Sequence, residues 1–539
     1  MASNSDSLTD FDLTHSYHGI PFDRSLPGVR TILSCLNDNA QIFGEEPFVT
    51  AISANGTPST LTYAELDELS RRAAFWLKHA LQLSAGDIVA LLPVNDTPSI
   101  ISIFALIRLG CRILFLNHAD PPQRLRQQVE ALEAKTILRV PAVSSELLTG
   151  AVQVPEAFAA ATSDPDVVIN PTADAFYFAT SGSTAVSKLV AQCHYNAAVN
   201  AHAVVQHHKL KRDDRLLACL PIHHVNCLHF TIFATLVAGA HVILAPAFDP
   251  FRYPRLLEQF RPRIASVVPS VLDALTEIWR RPKLPDDFDY FVSAAAPLSA
   301  RTLRGVSEKL GARVLQGYGL TETVNFSTTM SPALSPETYQ RFALGADIPS
   351  IGSSLHGNEV AVLNANGDYA APGEVGEICM RGHNVMLGYA GNEAATAEAF
   401  RFGWFHSQDL GYHEKDNEGQ TFFVLTGRIK NIAKVRGESV SLEEMDRILC
   451  ALPQVKDAAC VAFPHHLLGE EIVAAIVLKE DVSDNEVRAQ LRKTFSSTAL
   501  PERIVRLNAI PRTTTGKIRR AQLSDEVNAA LRSPASLRQ

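Results

Sequence analysis

Apolar positions along this 539-residue chain recur in units of one kind. Each unit begins with an apolar helical pattern, reaches a glycine and continues as a short strand-like run. Two units align with each other, FALIRLGCRILFLN at 104–117 and FATLVAGAHVILAP at 233–246. Gly110 and Gly239 stand where each helix would end, since glycine readily takes the left-handed conformation there. The alternation predicts an α/β fold with two related, packed α/β subdomains, each a mostly parallel sheet covered by helices.

The second unit belongs to the most apolar stretch, residues 230–248, which has the length of a membrane span. Gly239 and His241 interrupt it, and the β-branched residues cluster after the interruption. We therefore predict a buried helix, a tight turn and a buried strand, with no membrane span.

The pattern changes twice in the second half of the chain. After about residue 345, short strands such as EVAVLN and VGEICMRG alternate with the turns NANGD and APGE, which predicts a small β-rich subdomain. After GRIKN the pattern becomes one of short helices and strands, typical of a separate α+β domain of about a hundred residues. We place the boundary so that residues 1–429 form a large N-terminal domain and residues 430–539 a small C-terminal one.

Composition narrows the classes of partner. Hydrophobic residues make up 46% and charged residues 20% of the chain, as in ordinary globular proteins, and the net charge of −8 disfavours nucleic acid or an anionic membrane. Eight cysteines without a CxxC pair predict a reducing compartment, and therefore a cytoplasmic protein. The first residues, MASNSDSLTDFDLTHSY, lack an apolar core, so we predict a loose tail and no signal peptide.

The segment TSGSTAVSK, residues 180–188, is the first candidate for chemistry. Hydroxyls, backbone amides and one lysine suit a phosphate chain, although the segment lacks the G-x-x-x-x-G-K-[ST] pattern. The alternative is a solvated turn. AFYFA at 175–179 favours the phosphate, because it predicts a buried strand, and ligand loops follow the carboxyl ends of such strands.

Four later segments add polar side chains. QGYGLTETVN (316–325) places Tyr318 and Glu322 after a predicted strand, and a carboxylate beside phosphates is a natural Mg²⁺ ligand. GWFHSQDLGY (403–412) supplies Asp409, LTGRIKNIAKVRGE (425–438) supplies Arg428, and PRTTTGKIRR (511–520) supplies Lys517 in a turn next to glycine. Each segment alone is also compatible with an ordinary surface turn or helix cap.

In this order and spacing, from about residue 45 to 522, the segments resemble the adenylate-forming superfamily of acyl-CoA synthetases, peptide-synthetase adenylation domains and luciferases. Its phosphate loop, TSGST-Gly-x-Pro-Lys, matches Thr180 to Lys188, with Ala185 and Ser187 in place of glycine and proline. Its YGxTE motif matches 318–322. The chain also departs at Ala294, where the family has glycine, and at 407–408, where Ser-Gln replaces Thr-Gly before the aspartate.

The resemblance implies that the small C-terminal domain is mobile and that the reaction has two steps. A carboxylate first attacks the α-phosphate of ATP, giving an acyl-adenylate and pyrophosphate, with Mg²⁺ as cofactor. A thiol then attacks the acyl carbon and AMP leaves. Charge neutralisation and positioning are what such phosphorus chemistry requires.

The resemblance also assigns roles to individual residues. It implies that the phosphates of ATP are bound by Thr180, Ser181, Gly182, Ser183, Thr184 and Lys188. It also implies that Mg²⁺ is bound by Glu322 and Thr184. The residues implied to bind the nucleoside are Ala295, Ala296, Tyr318, Gly319, Thr321, Asp409 and Arg428. Lys517 bridges the substrate carboxylate and the α-phosphate, Lys430 is the hinge, and Lys434 and Gly437 serve the thiol step.

The segment PIHHVNCLH, 221–229, is informative about which carboxylic acid is the substrate. No aspartate lies between Leu220 and Ala247 to pair with an ammonium, so we expect an acyl or aryl acid without an α-amino group. His224 falls at the family's gate position, and Cys227 replaces the glycine of the P-x-x-H-V-N-G pattern. A zinc site is disfavoured because the histidines lack metal-ligand spacing. The predicted acid-binding residues are His224, Val225, Cys227, Ser293, Gly317 and Asn325.

Two alternatives stay open at this point. The thiol acceptor is CoA or, in a stand-alone adenylation enzyme, the phosphopantetheine of a carrier protein. The departures at Ala185, Ser187 and Gln408 leave room for a non-catalytic ATP- or acyl-binding relative. The sequence leaves the oligomeric state undetermined.

Overall fold

A computed structural model describes residues 8–159, 167–180, 188–436, 438–465, 467–513 and 516–532. The strands, in chain order, are β1 (Pro47–Ile52), β2 (Pro58–Thr62), β3 (Ile88–Leu92), β4 (Arg112–Phe115), β5 (Thr136–Arg139), β6 (Val152–Gln153), β7 (Asp174–Ala179), β8 (Leu189–Cys193), β9 (Arg215–Ala218), β10 (His241–Leu244), β11 (Ile264–Val267), β12 (Tyr290–Ser293), β13 (Arg313–Tyr318), β14 (Thr328–Thr329), β15 (Ser353–Ser354), β16 (Asn358–Leu363), β17 (Gly376–Gly382), β18 (Gly388–Tyr389), β19 (Phe405–Lys415), β20 (Thr421–Arg428), β21 (Ile432–Val435), β22 (Glu438–Ser441), β23 (Val455–His465), β24 (Gly469–Leu478) and β25 (Arg503–Arg506).

The α-helices are α1 (Asp10–Thr14), α2 (Ile32–Phe43), α3 (Tyr63–Ala80), α4 (Thr97–Leu109), α5 (Pro122–Ala131), α6 (His194–His208), α7 (Ala234–Ala238), α8 (Tyr253–Phe260), α9 (Pro269–Ile278), α10 (Ala300–Leu310), α11 (Pro336–Tyr339), α12 (Glu393–Ala399), α13 (Leu442–Cys450), α14 (Asp484–Leu491) and α15 (Arg520–Arg532). Two π-helical segments, Asn226–Phe233 and Gln340–Leu344, and three 3₁₀ turns, Thr321–Thr323, Arg401–Gly403 and Ile429–Asn431, complete the helices of the described residues.

Two large sheets form the N-terminal part, as the sequence predicts. One has nine strands in the order β15-β14-β13-β12-β11-β9-β10-β1-β2, and β13 through β1 run parallel. The other has seven strands in the order β18-β8-β7-β4-β3-β5-β6, and β7 through β6 run parallel. One continuous apolar core contains residues of both sheets and of the helices between them. The prediction of two packed α/β subdomains is confirmed.

The two aligned sequence units occupy equivalent places, one in each sheet. Helix α4 ends at Gly110 (φ 70°) before β4, and α7 ends at Gly239 (φ 71°) before β10. The left-handed conformation satisfies the last helical carbonyls in both cases. The second unit differs because its helix begins with the π-helical segment Asn226–Phe233. Within the described ranges, no helix is both long and apolar enough to span a bilayer.

The remaining two sheets follow the predicted changes of pattern. A four-stranded antiparallel sheet, β16-β17-β19-β20, is the β-rich subdomain. A five-stranded sheet of β21 to β25 forms the C-terminal part, and the apolar contacts that bury its two faces include residues of α13 and α14 on one side and of α15 on the other. The 3₁₀ turn Ile429–Asn431 joins the two sheets. The domain boundary between residues 429 and 430 stays a prediction.

The prediction of a loose N-terminal tail is wrong from residue 9 onward. Thr9 and Asp12 form a reciprocal capping box that starts helix α1. His15, at the end of this helix, is fully buried, and its Nε2 lies 2.8 Å from the carbonyl oxygen of Met386. The segment is held in place by this contact between His15 and Met386, which are far apart in the sequence.

Candidate active site

The candidate site begins where β12 and β13 end, at the carboxyl edge of the nine-stranded sheet. After Tyr318 the chain turns back on itself, and the Ser327 amide donates to the Tyr318 carbonyl at 2.8 Å. Gly319 permits this turn, since a β-carbon there would lie 1.6 Å from the carbonyl oxygen of Asn325. The turn presents Thr321 and Glu322 in a single 3₁₀ turn beside the sheet.

Tyr318, Asp409 and Arg428, three of the predicted nucleoside residues, form one cluster. The Tyr318 hydroxyl donates to Asp409 Oδ2 at 2.9 Å, and Arg428 Nε lies 2.7 Å from Asp409 Oδ1. Asp409 and Arg428 face each other across the β19–β20 ladder, which fixes the ion pair. The charge of Asp409 raises the pKa of Arg428, and burial with Asp409 raises the pKa of Tyr318. Asp409 is almost fully buried and therefore depends on these partners.

The ends of the predicted phosphate loop lie together. Strands β7 and β8 pair antiparallel, and the Thr180 amide donates to the Lys188 carbonyl at 2.9 Å, so the loop leaves and re-enters the sheet at one point. Ser181, Gly182, Ser183 and Thr184, as well as Ala185 and Ser187, lie outside the described residues. Lys188 is exposed, and its Nζ lies 4.4 Å from the centre of the Tyr389 ring, within the range of a cation–π contact.

Tyr389 also contacts Glu322, the predicted Mg²⁺ ligand. Its hydroxyl donates to Glu322 Oε1 at 2.9 Å, and burial together with the Glu322 charge raises the pKa of Tyr389. The Met386 amide donates to the Glu322 carbonyl at 2.7 Å and fixes the backbone of the turn. A single half-buried carboxylate fits Mg²⁺, which binds few protein oxygens and keeps water and phosphate oxygens as its other ligands. The sequence analysis did not identify Tyr389.

Lys517 reaches this site from the C-terminal domain. It follows Gly516 (φ 83°) in a tight turn, where the Thr513 amide donates to the Lys517 carbonyl at 2.8 Å. A β-carbon at Gly516 would lie 3.5 Å from Ser270 Oγ and 3.7 Å from Ala296 Cβ. The turn therefore packs directly against Ala296, one of the residues predicted to bind the nucleoside.

Lys517 shares an electrostatic environment with the predicted nucleoside and metal residues. Burial and the charge of Arg428 lower the pKa of Lys517, whereas the carboxylates of Asp409 and Glu322 raise it. Groups must lie near one another to perturb a pKa in this way. The structure thus gathers four predicted residues from separate parts of the chain around one space.

His224 faces the same space from the nine-stranded sheet. Burial, and then the charge of Lys517, lower the pKa of His224 to about 4, so the ring is neutral near pH 7. His224 and Val225 immediately precede the π-helical segment, a distortion that is frequent at functional sites. Cys227, by contrast, is fully buried in the main core. Ser293 and Asn325 are also buried, at the ends of β12 and of the turn after β13.

The residues predicted for the hinge and the thiol step lie elsewhere. Lys430 is in the 3₁₀ turn between β20 and β21. Lys434, on β21, is exposed. Its backbone amide donates to Glu470 and its Nζ donates to Ser439, both in the C-terminal domain. Gly437 lies outside the described residues. The roles of all three stay predictions.

Two departures from the family pattern concern the backbone. Gln408, at the position where the family has glycine, has φ 63°, and Ala295 has φ 70°. Ala294, which also stands where the family has glycine, is not among the residues with positive φ. Side chains disfavour the left-handed region, so Ala295 and Gln408 each impose a local cost at this site.

Comparisons with known proteins agree with this fold and site. Residues 36–390 match the model of the AMP-binding enzyme family, and residues 444–517 match the model of its C-terminal domain. This is a two-part α/β enzyme of the adenylate-forming class. The chain belongs to the AMP-binding enzyme family, which confirms the resemblance found in the sequence.

Several relatives match along most of their length. The oxalate–CoA ligase of Arabidopsis thaliana is 29% identical over 499 residues, covering 87% of this chain and 94% of the relative. The 2-succinylbenzoate–CoA ligase of Geobacillus kaustophilus is 30% identical over 477 residues, covering 86% and 92%. The o-succinylbenzoate CoA synthetase of Bacillus subtilis, solved with ATP and magnesium, superposes with a TM-score of 0.79 at 26% identity, covering 91% of this chain and 99% of that one.

Proposed function

We propose that this protein is an ATP-dependent acid–CoA ligase. It activates an acyl or aryl carboxylic acid that has no α-amino group as an acyl-adenylate, releases pyrophosphate, and transfers the acyl group to the thiol of CoA. The observation that carries the proposal is the position of Lys517, whose pKa responds to Arg428, Asp409 and Glu322 across the domain interface.

In the adenylation step, residues of both domains neutralise and position the reactants. Asp409 and Arg428 hold the ribose, and Tyr318 with the Ala295–Ala296 backbone lines the adenine. Lys517 bridges the substrate carboxylate and the α-phosphate, which brings the two together and offsets the charge that develops. Lys188 and the loop after Thr180 bind the β- and γ-phosphates. Glu322 and Thr184 would hold Mg²⁺, which would supply further positive charge to the phosphate chain.

In the thioester step, we propose that the C-terminal domain rotates about Lys430. The boundary between the two domains would then lie between residues 429 and 430. Lys517 then leaves the site, and the segment with Lys434 and Gly437 replaces it. Hinge motions of this kind are a common way to present two surfaces of one domain to the same site. The position of Lys430 in the short connection between two sheets supports it as the hinge.

The nature of the acid rests on the residues around His224. The segment from Leu220 to Ala247 contains no carboxylate that would pair with an ammonium group. The relatives named above act on oxalate and 2-succinylbenzoate as CoA ligases. These names favour CoA over a carrier protein and a catalytic enzyme over a non-catalytic binding protein. All eight cysteines are free, which supports a reducing, cytoplasmic location.

Carboxylate-dependent exchange of pyrophosphate into ATP tests the first step. A panel of aliphatic, aryl and amino acids identifies the substrate, and we expect amino acids to be poor. Lys517→Ala should abolish exchange, whereas Lys434→Ala should retain it, because Lys434 lies outside the adenylation site. Full exchange by Lys517→Ala, or a strong preference for an α-amino acid, would contradict the proposal.

The acceptor is tested with preformed acyl-adenylate on the enzyme. Addition of CoA should release AMP and form an acyl-CoA thioester. Addition of a phosphopantetheinylated carrier protein should not. The reverse result would establish the stand-alone adenylation enzyme instead, and exchange without either transfer would separate the two steps.

A further inference from the structure

Asp409, the proposed ribose ligand, lies in a distorted part of strand β19. Glu377 of β17 pairs with Leu410, and Cys379 pairs with His406, so the single residue between Glu377 and Cys379 faces the three residues 407–409. Such a bulge redirects the side chains that it contains, and bulges are common beside active sites. The direction of Asp409 therefore depends on the contacts that hold the bulge.

Side chains hold the bulge at Ser407 and Gln408, the two residues that precede Asp409. Glu377 Oε1 accepts a hydrogen bond from the Gln408 amide at 2.8 Å and a longer one from Gln408 Nε2 at 3.4 Å. The Ser407 hydroxyl donates to the Ile378 carbonyl at 2.5 Å, and the Asp409 amide donates to Ser407 Oγ at 3.0 Å. Glu377 is thus the charged group that holds the backbone amide of Gln408, the residue directly preceding Asp409.

Gln408 needs such a contact more than a glycine would. Its φ of 63° lies in the left-handed region, which a side chain disfavours and glycine tolerates. The charge-assisted hydrogen bond from the Gln408 amide to Glu377 helps to hold the backbone in this conformation. In this chain, Glu377 compensates for the loss of the family's glycine.

Glu377 is itself anchored. His406 Nδ1 lies 2.7 Å from Glu377 Oε2, and His406 Nε2 lies 3.0 Å from the Arg401 carbonyl oxygen. Glu377, Cys379 and His406 bring their donor atoms within 4.8 Å of one another, as in a metal site. However, hydrogen bonds already occupy both nitrogens of His406, and burial raises the pKa of the Cys379 thiol, which disfavours the thiolate that a metal requires. The cluster is a hydrogen-bonded support.

We propose that Glu377 is a positioning residue for nucleotide recognition: by holding the Gln408 amide it keeps the 407–409 bulge in the conformation that directs Asp409 to the ribose hydroxyls of ATP. The inference rests on the proposed function, and specifically on Asp409 as the ribose ligand. Glu377 itself does not contact the nucleotide in this arrangement. Its effect must therefore depend on the presence of the ribose hydroxyls.

The test compares ATP with 2′,3′-dideoxy-ATP as ligands of the full-length enzyme, by equilibrium binding and by the exchange assay. Wild-type protein should bind ATP more tightly than the dideoxy analogue. Glu377→Ala should weaken ATP binding by about tenfold, roughly the equivalent of one hydrogen bond to a charged group, with little effect on the analogue. The ratio of the two affinities should fall toward one, as it should in Asp409→Asn.

Three further variants define the mechanism. Glu377→Gln retains an acceptor for the Gln408 amide and should keep most of the ribose preference. Gln408→Gly in the Glu377→Ala background should restore part of it, because glycine takes a positive φ without assistance. Glu374→Ala, an exposed turn residue three positions earlier, should leave the ratio unchanged.

The outcomes separate the inference from the proposed function. If wild type and Asp409→Asn bind the two nucleotides alike, the ribose role of Asp409 is wrong. If Asp409→Asn loses the preference but Glu377→Ala keeps it, or weakens both nucleotides equally, the positioning role of Glu377 is wrong. If Glu377→Ala does not fold, Glu377→Asp replaces it, because we expect the shorter carboxylate not to reach the Gln408 amide. The ratio of the ATP and dideoxy-ATP affinities of that variant then tests the positioning role of Glu377.

Discussion

The hydroxyl of Tyr389 donates a hydrogen bond to Glu322 at 2.9 Å. The ring of the same tyrosine lies 4.4 Å from Lys188 Nζ. One side chain therefore contacts both the proposed metal ligand and the proposed phosphate lysine. Because the two contacts use different parts of Tyr389, substitutions can separate them.

Tyr389→Phe removes the hydroxyl and keeps the ring. We expect the Mg²⁺ concentration for half-maximal exchange to rise by about three- to tenfold, since a hydrogen bond to a charged group is worth roughly 1.5 kcal/mol or less in a half-exposed site. Tyr389→Leu, which also removes the contact with Lys188, should raise the KM for ATP as well. Tyr369→Phe, at an exposed tyrosine, is the control. An unchanged Mg²⁺ dependence in Tyr389→Phe would contradict the role of this hydrogen bond.

Adjacent alanines should respond in opposite directions to the same substitution. Ala295 has φ 70°, so Ala295→Gly should stabilise the fold by up to about 1 kcal/mol through relief of the left-handed conformation. Ala294 is not among the positive-φ residues and is buried, so Ala294→Gly should destabilise by about 0.5–1 kcal/mol. The urea midpoint of the N-terminal transition measures both. Equal shifts of one sign would contradict the backbone assignment.

As the pH rises, the enzyme should lose activity at a lower pH than the ordinary pKa of lysine would predict. Burial and Arg428 lower the pKa of Lys517 below 10.5, and adenylation needs the charged ammonium. The pH profile of kcat/KM for ATP should therefore lose activity as pH rises through this lowered pKa. Lys517→Arg, which stays protonated, should show a lower rate without that decline. An unaltered alkaline limb in Lys517→Arg would assign the titration to another group.

Acid should destabilise the N-terminal domain through its buried histidines. Burial lowers the pKa of His194 to about 4 and that of His229 to about 3. The unfolded chain binds a proton near pH 6.5 and the folded one does not, so this stability is present above pH 6.5 and is lost as pH falls toward the folded pKa values. Each histidine contributes a slope of about 1.4 kcal/mol per pH unit in that window.

The urea midpoint between pH 7 and pH 5 measures this loss. His229→Gln should reduce the slope, because glutamine takes up no proton in place of the ring. His79→Gln, at an exposed histidine, should leave the slope as it is. If His229→Gln and wild type lose stability equally over this range, His229 is not one of the groups responsible.

Local pattern was sufficient for much of the fold. The helix–glycine–strand units around Gly110 and Gly239 identified equivalent parts of two parallel sheets, because helix ends and buried strands are specified by nearby residues. The order of short motifs likewise identified Asp409, Arg428 and Lys517, which the structure brings around one space. The phosphate loop between Thr180 and Lys188 remains a prediction in its interior.

The sequence did not reveal the residues that support the site. In the sequence, Glu377 is one polar residue in a predicted strand. Its contact with Gln408 arises from the register between β17 and β19. Tyr389 reaches Glu322 from 67 positions away, and His15 reaches Met386 from 371 positions away. Such contacts depend on tertiary packing, and the hydrophobic periodicity of the sequence does not predict them. The left-handed φ of Ala295 was equally hidden, since alanine gives no signal for it.

The position of Lys517 has an energetic consequence for the cycle. With the domain in this arrangement, burial and the charges of Arg428 and Lys430 disfavour the Lys517 ammonium, whereas the charges of Asp409 and Glu322 favour it. The triphosphate of ATP would add the missing negative charge, so nucleotide binding and domain closure are thermodynamically linked. Departure of pyrophosphate withdraws most of that charge and leaves the cations repelling one another. We propose that this repulsion favours the reopened arrangement of the C-terminal domain that the thiol step requires.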